Sequence, residues 1–373
     1  MLTFLLLLPS IIFLIIGARA RVKRMKCDFF PPVSVVAWTW RGGNVIERKI
    51  KNFLSQDYPG KFEVIIVDNA SKDETESVCR KYEKRGLIKY YRTKKEYGRK
   101  AYGLDEGIKK VAKYDIIAIT DPDGVCEKNW LKKIVQPFKN EKVGAVIGLT
   151  HCGNFYSNLF TKLRAVEDEW NYVIVPLGTD FKKSVHLICG ANYAVRRKAL
   201  ESVGYHGKKT LGEDLELTIK LYNKGWDVKV ADANVWQEEV ETVKEYFRQR
   251  LRWVDSGIRA QKYYFKQLLN LFKKRTLGLS LFYFSFSLYF FSFFYLLLAL
   301  FSHFKIAGLI GFLMCNLGVI TGLIRLKRSF LIPYVPLYLL LEPFFTIYCF
   351  ILRKWLLISG KKIVWKSLNE KYY

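Results

Sequence analysis

Acidic residues are scarce in this chain: 34 Asp and Glu stand against 61 Lys and Arg, which gives a formal net charge of +27 over 373 residues. Histidine (4) and methionine (3) are rare, and the 7 cysteines are scattered without a C-x-x-C pair. This spacing indicates neither a zinc site nor a disulfide framework. The sequence also lacks an internal repeat and a low-complexity linker. Hydrophobic residues nevertheless make up 50% of the chain and aromatic residues 16%, which excludes a disordered basic polypeptide.

The apolar residues are concentrated in four runs, at 2–18, 277–301, 306–324 and 330–352. About 20 apolar residues are needed to cross the roughly 30 Å hydrocarbon core of a bilayer. The first run is long enough for an anchor, and the second and third satisfy this requirement without interruption. The fourth is interrupted by Pro333, Pro336, Glu342 and Pro343, which predicts a re-entrant or interface-lying segment. The composition predicts an integral protein of the plasma or inner membrane.

Positive charge flanks these runs, after the first and third and before the second: Arg19, Arg21, Lys23, Arg24, Lys26, Lys273, Lys274, Arg275, Arg325, Lys327 and Arg328. The positive-inside rule then places the segment between the first two runs in the cytoplasm. The tail is expected on the same side because it also carries Arg353, Lys354, Lys361, Lys362 and Lys366. The alternative for the first run is a signal peptide cleaved at Ala18-Arg19-Ala20, but its basic residues follow the run instead of preceding it, which favours a retained anchor.

Strand and helix patterns alternate in the region after the first run. Strands are predicted at 33–37, 64–67, 88–91, 115–120 and 143–149, and helices at 46–54, 74–82, 101–112 and 130–138. Continuous apolar strands separated by helices are typical of a parallel, three-layer α/β sheet. Such sheets bind ligands beyond the carboxyl ends of their strands.

Carboxylates follow two predicted strands at the point where each strand ends. Asp68 follows one strand, with Asp73 in the next turn, and Asp121 and Asp123 follow another. A D-x-D pair can present oxygen ligands to Mg²⁺ or Mn²⁺, whose other ligands are water and substrate phosphates. The same residue types are common in turns and helix caps. Because two such motifs are expected on one sheet, a binding site is favoured over turn chemistry alone.

Six motifs follow one another along the chain: Val67-Asp68-Asn69-Ala70-Ser71-Lys72-Asp73, Gly98-Arg99-Lys100-Ala101, Asp121-Pro122-Asp123, Cys189-Gly190-Ala191-Asn192, Gly212-Glu213-Asp214 and Gln249-Arg250-Leu251-Arg252-Trp253. In this order they resemble the membrane-embedded family 2 glycosyltransferases, which include cellulose, chitin and hyaluronan synthases and ceramide glucosyltransferase. The resemblance covers residues 33–253 and, more loosely, the rest of the chain.

The resemblance implies an α/β, GT-A (Rossmann-like) cytoplasmic domain between an N-terminal transmembrane anchor and a C-terminal bundle of transmembrane and interfacial helices. The expected divisions are 1–26 for the anchor and its basic flank, 27–240 for the catalytic domain, 241–276 for amphipathic interface helices with the Q-x-x-R-W motif, and 277–373 for the C-terminal helices and tail. A further amphipathic stretch at 158–175 suits either an interface helix or a core-facing helix.

The resemblance also assigns roles to the acids of the strand ends and to one lysine. Asp68 and Asp73 are expected to bind the nucleotide, and Lys100 the diphosphate at a helix start. Asp123 is expected to bind the metal, Mg²⁺ or Mn²⁺. Asp121 is expected to contact both the metal and the nucleotide.

Two later motifs are expected to complete the site. Glu213 and Asp214 are the candidate catalytic residues, with Asp214 as the base that deprotonates the acceptor hydroxyl; their alternative role is to complement the dipole of the helix that begins there. Arg252 is expected to contact the diphosphate as a planar donor, Gln249 to hydrogen-bond the acceptor or nucleotide, and Trp253 to stack near the acceptor.

Together these expectations describe an inverting, metal-dependent enzyme that moves a sugar from a UDP-sugar to a lipid or growing-glycan hydroxyl. Membrane lipids are expected partners, and nucleic acid is not. One alternative is a polyprenyl-phosphate sugar synthase, although a phosphate acceptor needs less help from a base. Another is a non-catalytic basic scaffold, which the acids at strand ends disfavour. The sequence departs from the family pattern at Trp38, Trp40 and Leu211, where a proline-containing turn and a Thr or Ser are usual.

Overall fold

The computed structural model describes residues 2–23, 26–285 and 287–360, with side chains from Leu5 onward; Arg24, Lys361, Lys362 and Lys366 lie outside the described residues. The strands are β1 Val33–Thr39, β2 Phe62–Asp68, β3 Lys89–Arg92, β4 Ile116–Thr120, β5 Val125–Cys126, β6 Val143–Cys152, β7 Asn192–Arg196 and β8 Asp227–Gln237. The α-helices are α1 Leu2–Arg19, α2 Gly43–Leu54, α3 Thr75–Glu83, α4 Lys100–Val111, α5 Trp130–Ile134, α6 Leu159–Asp168, α7 Val175–Gly178, α8 Arg197–Ser202, α9 Glu213–Asn223, α10 Val243–Tyr263, α11 Phe265–Ser285, α12 Leu288–Phe301, α13 Lys305–Arg325 and α14 Val335–Ile358. A π-helix covers Glu169–Ile174, and 3-10 helices cover Gln136–Lys139 and Ser329–Tyr334.

The described strands form one 8-stranded sheet in the order β3-β2-β1-β4-β7-β6-β8-β5. Strands β3, β2, β1 and β4 are parallel, as predicted. The prediction of a wholly parallel sheet is wrong beyond β4, because β7 runs antiparallel to both β4 and β6, and β5 runs antiparallel to β8. After β6 the chain passes through α6, the π-helix and α7 and enters β7 at Asn192, opposite Thr120 at the end of β4. It therefore enters β7 from the carboxyl edge and must run the opposite way.

Strand β1 supplies buried side chains to both faces of the sheet. Val35 and Ala37 pack with residues of α2 and α3 in one core, and Val36 and Trp38 pack with residues of α4 and α9 in the other. All seven residues of β1 are buried, as a strand covered on both faces requires. The sheet is thus the middle layer of a three-layer domain.

A third core joins this domain to the remaining helices. It contains Phe13 of α1, Val166 of α6, Val319 of α13 and Leu339 of α14, all fully buried. The stretch at 158–175 therefore faces a core along α6 and the π-helix. Its neighbours include the apolar C-terminal helices.

Helix α1 is packed closely against this core. A Cβ added to Gly17 would lie 1.8 Å from the carbonyl oxygen of Gly318 in α13, so the two backbones approach as only small residues allow. Arg19 Nε donates to Gly178 O at 3.0 Å, and Arg325 Nε donates to Ala20 O at 3.0 Å. These contacts join α1 to α7 and α13; that the helix is retained in the mature protein stays a prediction.

Within the described residues, Lys305–Arg325 and Ser329–Ile358 are long and apolar enough to cross a membrane. The apolar part of α1, Leu5–Arg19, is shorter, and its role as an anchor stays a prediction. Helices α11 and α12 are bent by 63° relative to each other, so they form a third candidate only as one broken span. The orientation of these helices and the domain boundaries also stay predictions.

The expectation of an uninterrupted second run is wrong, because α11 ends at Ser285, where Trp170 of the π-helix contacts it. Trp170 Nε1 donates to the carbonyl of Ser285 at 3.1 Å, and the Ser285 hydroxyl donates back to Phe282 O at 2.8 Å. Both bonds occur at the last residue of α11. They provide alternatives to the backbone bonds that would continue the helix.

The prolines of the fourth run do not interrupt its helix, although a re-entrant or interface-lying position of this segment stays a prediction. Helix α14 continues through Pro343. Pro336 lies in its first turn, where no N–H is needed, and Pro333 lies in the preceding 3-10 helix. The buried Glu342 side chain faces the protein, where it contacts α10.

Candidate active site

A cavity of about 1150 Å³ lies where the carboxyl ends of β1 and β4 meet the starts of α4 and α9, beneath α10. This volume is slightly larger than that of ordinary ligand sites, roughly 300–1,000 Å³. The predicted site residues in its wall are Lys100, Asp121, Asp123, Glu213, Asp214, Gln249, Arg252 and Trp253. Residues of α11, α12 and α14 also line the cavity, and most of them are aromatic: Phe282, Tyr283, Tyr289, Phe290, Thr346 and Phe350.

Asp121 and Asp123 directly follow β4, which carries them to the cavity. Asp121 Oδ1 accepts a hydrogen bond from Lys100 Nζ at 2.5 Å. Asp123 Oδ1 is buried and accepts no hydrogen bond from the described residues. Burial, with a further contribution from Asp121, raises the pKa of Asp123 to about 7. A buried oxygen without a partner is costly unless a ligand satisfies it, and a cation is a fitting ligand.

The described residues contain no group of three or more His, Cys, Asp or Glu side chains that could enclose a metal ion. The protein therefore offers the pair Asp121 and Asp123. Mg²⁺ and Mn²⁺ sites of this kind take their remaining ligands from water and substrate phosphates. The residues fit such an ion.

Lys100 is the first residue of α4, and its ammonium group lies between Asp121, Gly190 and Glu213. Its Nζ also donates to Gly190 O at 3.0 Å and lies 3.7 Å from Glu213 Oε1. Burial alone would lower the pKa of Lys100, but Asp121 and Glu213 raise it above its usual value. A buried cation at a helix start is suited to an anionic diphosphate.

Glu213 and Asp214 open helix α9 at the same wall. Asp214 Oδ2 accepts the N–H of Gly190 at 2.9 Å, and Oδ1 accepts the N–H of Leu215 at 2.8 Å. The second bond satisfies a backbone N–H in the first turn of α9, as expected of an acid that complements the helix dipole. Asp214 also lines the cavity, so this role is compatible with that of a general base. Burial raises the pKa of Glu213; Lys100 opposes the shift and Asp214 adds to it.

Helix α10 contributes Gln249, Arg252 and Trp253 to the cavity wall. Gln249 Oε1 is buried without a hydrogen-bond partner among the described residues. Arg252 forms no ion pair within the described part of the chain, and burial lowers its pKa although Glu213 and Asp214 oppose this shift. These two side chains are therefore available to a ligand.

Asp68 and Asp73 are not brought to the cavity wall. Asp68 is fully buried, and its two oxygens accept from Ser71 N at 3.0 Å and from Tyr90 Oη at 2.5 Å. Asp73 accepts from Gly43 N at 2.9 Å and from Thr75 Oγ1 at 2.6 Å. Both carboxylates thus accept hydrogen bonds within and around the turn, which is the alternative role considered for them in the sequence. Their contact with a nucleotide stays a prediction.

Several cavity residues were not given a role from the sequence. Trp38 of β1 and Trp40 just after it line the cavity wall, although the sequence marked them only as departures. Asn171 and Tyr172 come from the π-helix, which has no signature in the hydrophobic pattern. Glu167 of α6 also lines the cavity and is fully buried there.

The mixed sheet, the D-x-D pair after β4, the acid at the start of α9 and the arginine of α10 around one cavity define a glycosyltransferase of the GT-A type. The chain belongs to the family described as Glycosyltransferase like family 2, which matches residues 31–256. The predictions of this family, of a GT-A fold and of an enzyme are confirmed.

Three relatives illustrate the similarity. The probable glycosyltransferase YdaM of Bacillus subtilis is 31% identical over 269 residues, covering 70% of this chain and 64% of that protein. The beta-monoglucosyldiacylglycerol synthase of Nostoc sp. is 30% identical over 250 residues, covering 64% and 52%. The poly-beta-1,6-N-acetyl-D-glucosamine synthase of Staphylococcus epidermidis is 26% identical over 227 residues, covering 60% and 54%. The match thus spans between about half and two thirds of the relatives' length.

A solved structure shares the fold over nearly the whole chain. The mannosyltransferase PcManGT from Pyrobaculum calidifontis, in complex with GDP-Man and Mn²⁺, has a TM-score of 0.53 at 19% identity, covering 93% of this chain and 99% of that one. At this identity the similarity establishes the fold alone.

Proposed function

We propose that this enzyme transfers a sugar, with inversion, from a nucleotide donor to a hydroxyl group of a lipid or polysaccharide at the cytoplasmic face of the plasma or inner membrane. A UDP-sugar is the first donor to test. The observation that carries the proposal is that one cavity contains the carboxylate pair Asp121 and Asp123, the cations Lys100 and Arg252, and Asp214.

Asp121 and Asp123 would hold Mg²⁺ or Mn²⁺, Asp123 through its unpartnered oxygen. When bound, such an ion stabilises negative charge on the leaving diphosphate. The mannosyltransferase PcManGT was solved in complex with GDP-Man and Mn²⁺, which supports a nucleotide donor and a divalent ion for this fold. The same complex makes GDP-mannose a donor to test beside UDP-sugars.

Lys100 and Arg252 are the protein groups available to the diphosphate. Arg252 has no ion pair among the described residues, and its planar guanidinium can donate two parallel bonds to phosphate oxygens. Lys100 contributes a compact charge at the start of α4. In a buried site with a low dielectric constant, both attractions are stronger than in water.

Asp214 would act as the general base. Backbone N–H groups of Gly190 and Leu215 fix its carboxylate. The acceptor oxygen forms a bond to the anomeric carbon, the bond from that carbon to the diphosphate breaks, and Asp214 takes the hydroxyl proton. Because the acceptor attacks from the face opposite the leaving group, the anomeric configuration inverts.

The aromatic part of the cavity wall favours a lipid over a polysaccharide as acceptor. Phe282, Tyr289, Phe290 and Phe350 form an apolar wall there, and they belong to helices that include candidate membrane spans. A relative named as a beta-monoglucosyldiacylglycerol synthase also supports a lipid acceptor. A polyprenyl phosphate would also suit an apolar wall, so this alternative is kept as an outcome of the test. Membership in an enzyme family removes the support for a non-catalytic scaffold.

The test uses the full chain in lipid nanodiscs. UDP-glucose, UDP-galactose, UDP-N-acetylglucosamine and GDP-mannose are supplied in turn with Mn²⁺ or Mg²⁺, and the discs contain either diacylglycerol or undecaprenyl phosphate. We expect release of nucleoside diphosphate and a diacylglycerol product heavier by one sugar, with its anomeric configuration inverted by NMR. A product formed only on undecaprenyl phosphate supports the alternative, and no diphosphate release from any donor contradicts the proposal.

A further inference from the structure

Glu342 is the one acidic residue in helix α14, and all of its polar contacts are inside the protein. Its side chain is buried, 2% exposed. Oε1 accepts from Thr346 Oγ1 at 2.8 Å and lies 3.2 Å from Arg250 Nη2, and Oε2 accepts from Tyr246 Oη. Glu342 therefore connects α14 to the face of α10 that carries Tyr246 and Arg250.

Arg250 is shared between Glu342 and Glu167 of α6. Its Nη2 donates to both oxygens of Glu167, and its Nε donates to Tyr246 Oη at 3.0 Å. Glu167 also accepts from Arg164. All of these groups are buried, so their positions are mutually determined.

The two arginines meet the ring of Trp253. The guanidinium carbon of Arg250 lies 5.0 Å from the ring centroid and that of Arg164 lies 5.4 Å away. Tyr246, Arg250 and Trp253 are spaced i, i+4 and i+7, which puts them on one face of α10. Cation–π attraction is stronger in desolvated sites, so the orientation of this indole depends on where the two guanidinium groups are held.

The charges of this cluster indicate that Glu342 is not needed to neutralise Arg250. Four buried carboxylates, Glu167, Asp168, Glu239 and Glu342, surround the two guanidinium groups of Arg164 and Arg250. Without the charge of Glu342, Arg250 is still paired with Glu167. What Glu342 adds is a second fixed point, on a different helix.

We propose that Glu342 is a positioning residue that, through Arg250, fixes Trp253 in the cavity wall and so connects helix α14 to the acceptor side of the active site. The assignment of Trp253 to the acceptor side rests on the proposed function. The positioning of its ring does not.

The test reads the position of Trp253 directly. The full chain is labelled with 5-fluorotryptophan in detergent micelles, and its ¹⁹F spectrum is assigned at this residue with Trp253→Phe. We expect Glu342→Gln, which keeps the size of the side chain, and Arg250→Lys to shift or broaden the Trp253 resonance selectively. Val335→Ala is the matched control, because it shortens a buried uncharged side chain of the same helix in the apolar core; it should lower the melting temperature and leave the Trp253 resonance in place.

Kinetics test the connection to the acceptor. For the acceptor that the nanodisc assay identifies, Glu342→Gln should raise KM by about tenfold to 100-fold, since a small misplacement of a substrate has effects of this size, while the donor KM stays as in the wild type. An unchanged acceptor KM overturns the connection. A Trp253 resonance unchanged in both variants, or one that moves equally in Val335→Ala, overturns the positioning role. The spectra decide this even if no donor is turned over, so the failure of the proposed function is seen separately.

Discussion

The ammonium group of Lys100 lies 2.5 Å from the carboxylate of Asp121, and this ion pair joins the start of α4 to the end of β4. Asp121 and Glu213 hold the pKa of Lys100 above its usual value, so the lysine is a cation at every pH at which the enzyme would be assayed. A diphosphate bound beside Asp121 would share this cation. The ion pair therefore sets the position of the charge before the donor binds.

We expect Lys100→Met to weaken binding of UDP in the presence of Mn²⁺ by about 10-fold to 100-fold, because a hydrogen bond to a charged group contributes roughly 1.5–3 kcal/mol. Isothermal titration calorimetry measures the affinity. Lys94→Met, at an exposed position of the same region, is the control and should bind as the wild type does. Equal affinities in the two variants would contradict a diphosphate contact.

Asp214→Asn should abolish transfer while leaving donor binding intact. The amide keeps the size of the side chain but cannot take a proton, and general-base catalysis contributes about 10²-fold to 10⁴-fold. The measurement compares kcat for transfer with the dissociation constant for UDP. Asp214→Glu, which moves the carboxylate by one methylene group, should retain part of the activity. A kcat for Asp214→Asn within a factor of about three of the wild type would remove Asp214 from the role of base.

Asp123→Ala should remove the dependence of UDP binding on the divalent ion. In the wild type we expect Mn²⁺ to strengthen UDP binding; in the variant the affinities with Mn²⁺ and with EDTA should agree. Glu238→Ala is the matched control, because Glu238 is a nearby half-exposed acid paired with Arg48 at 2.7 Å. Its binding of UDP should still respond to Mn²⁺. A full response in Asp123→Ala would exclude Asp123 as a ligand.

The parts of the fold that local pattern determines were predicted from the sequence. Strands β1, β2 and β4 are buried on both faces, with partial exposure at the start of β2, and their apolar runs showed this directly. At the sheet edge, β3 is buried only at Tyr90. The D-x-D pair, Lys100 and the acids of α9 were located from the motifs, and the structure gathers them around one cavity.

The parts that the sequence could not give depend on contacts between distant residues. The antiparallel β7 follows from the route of the chain between β6 and Asn192, which no local pattern records. The break after Ser285 involves Trp170, more than a hundred residues away. The enclosure of Asp68 depends on Tyr90 of the neighbouring strand. In these three places the structure depends on a contact with a residue that is distant in sequence, so the local pattern could not predict it.

Asp105 should make stability depend on pH. This buried acid of α4 is hydrogen-bonded to His206 Nδ1 and lies 3.4 Å from Lys208 Nζ. Burial alone would raise the pKa of Asp105, but the opposing effect of His206 and Lys208 is larger. The pKa of Asp105 therefore lies below its usual value. The carboxylate therefore stabilises the folded state above the unfolded pKa of about 3.9, and this contribution is lost as the pH falls through the lower folded pKa.

We expect Asp105→Asn to reduce the free energy of unfolding at pH 7 by about 2 kcal/mol, the size of a charged hydrogen bond. The melting temperature, followed by tryptophan fluorescence in detergent, should be lower than that of the wild type at pH 7, and the difference should become smaller towards pH 3. A difference that is the same at both pH values would contradict an ionised Asp105.

The contact between Gly17 and Gly318 predicts that α1 is a structural part of the helix bundle. Since a Cβ at Gly17 would lie 1.8 Å from Gly318 O, Gly17→Leu must push α1 away from α13. The separation would strain the bond from Arg325 to Ala20 O. Overpacking of this kind costs about 1–3 kcal/mol, so the melting temperature should fall. UDP affinity should be unchanged, because Gly17 does not line the cavity. Ile15→Leu, at a half-exposed position of the same helix, should melt as the wild type does.

The intact mass of the purified protein gives the second measurement. A chain that begins at Arg21 would show that the helix had been removed as a signal peptide, and its packing against α13 could not then stabilise the mature enzyme.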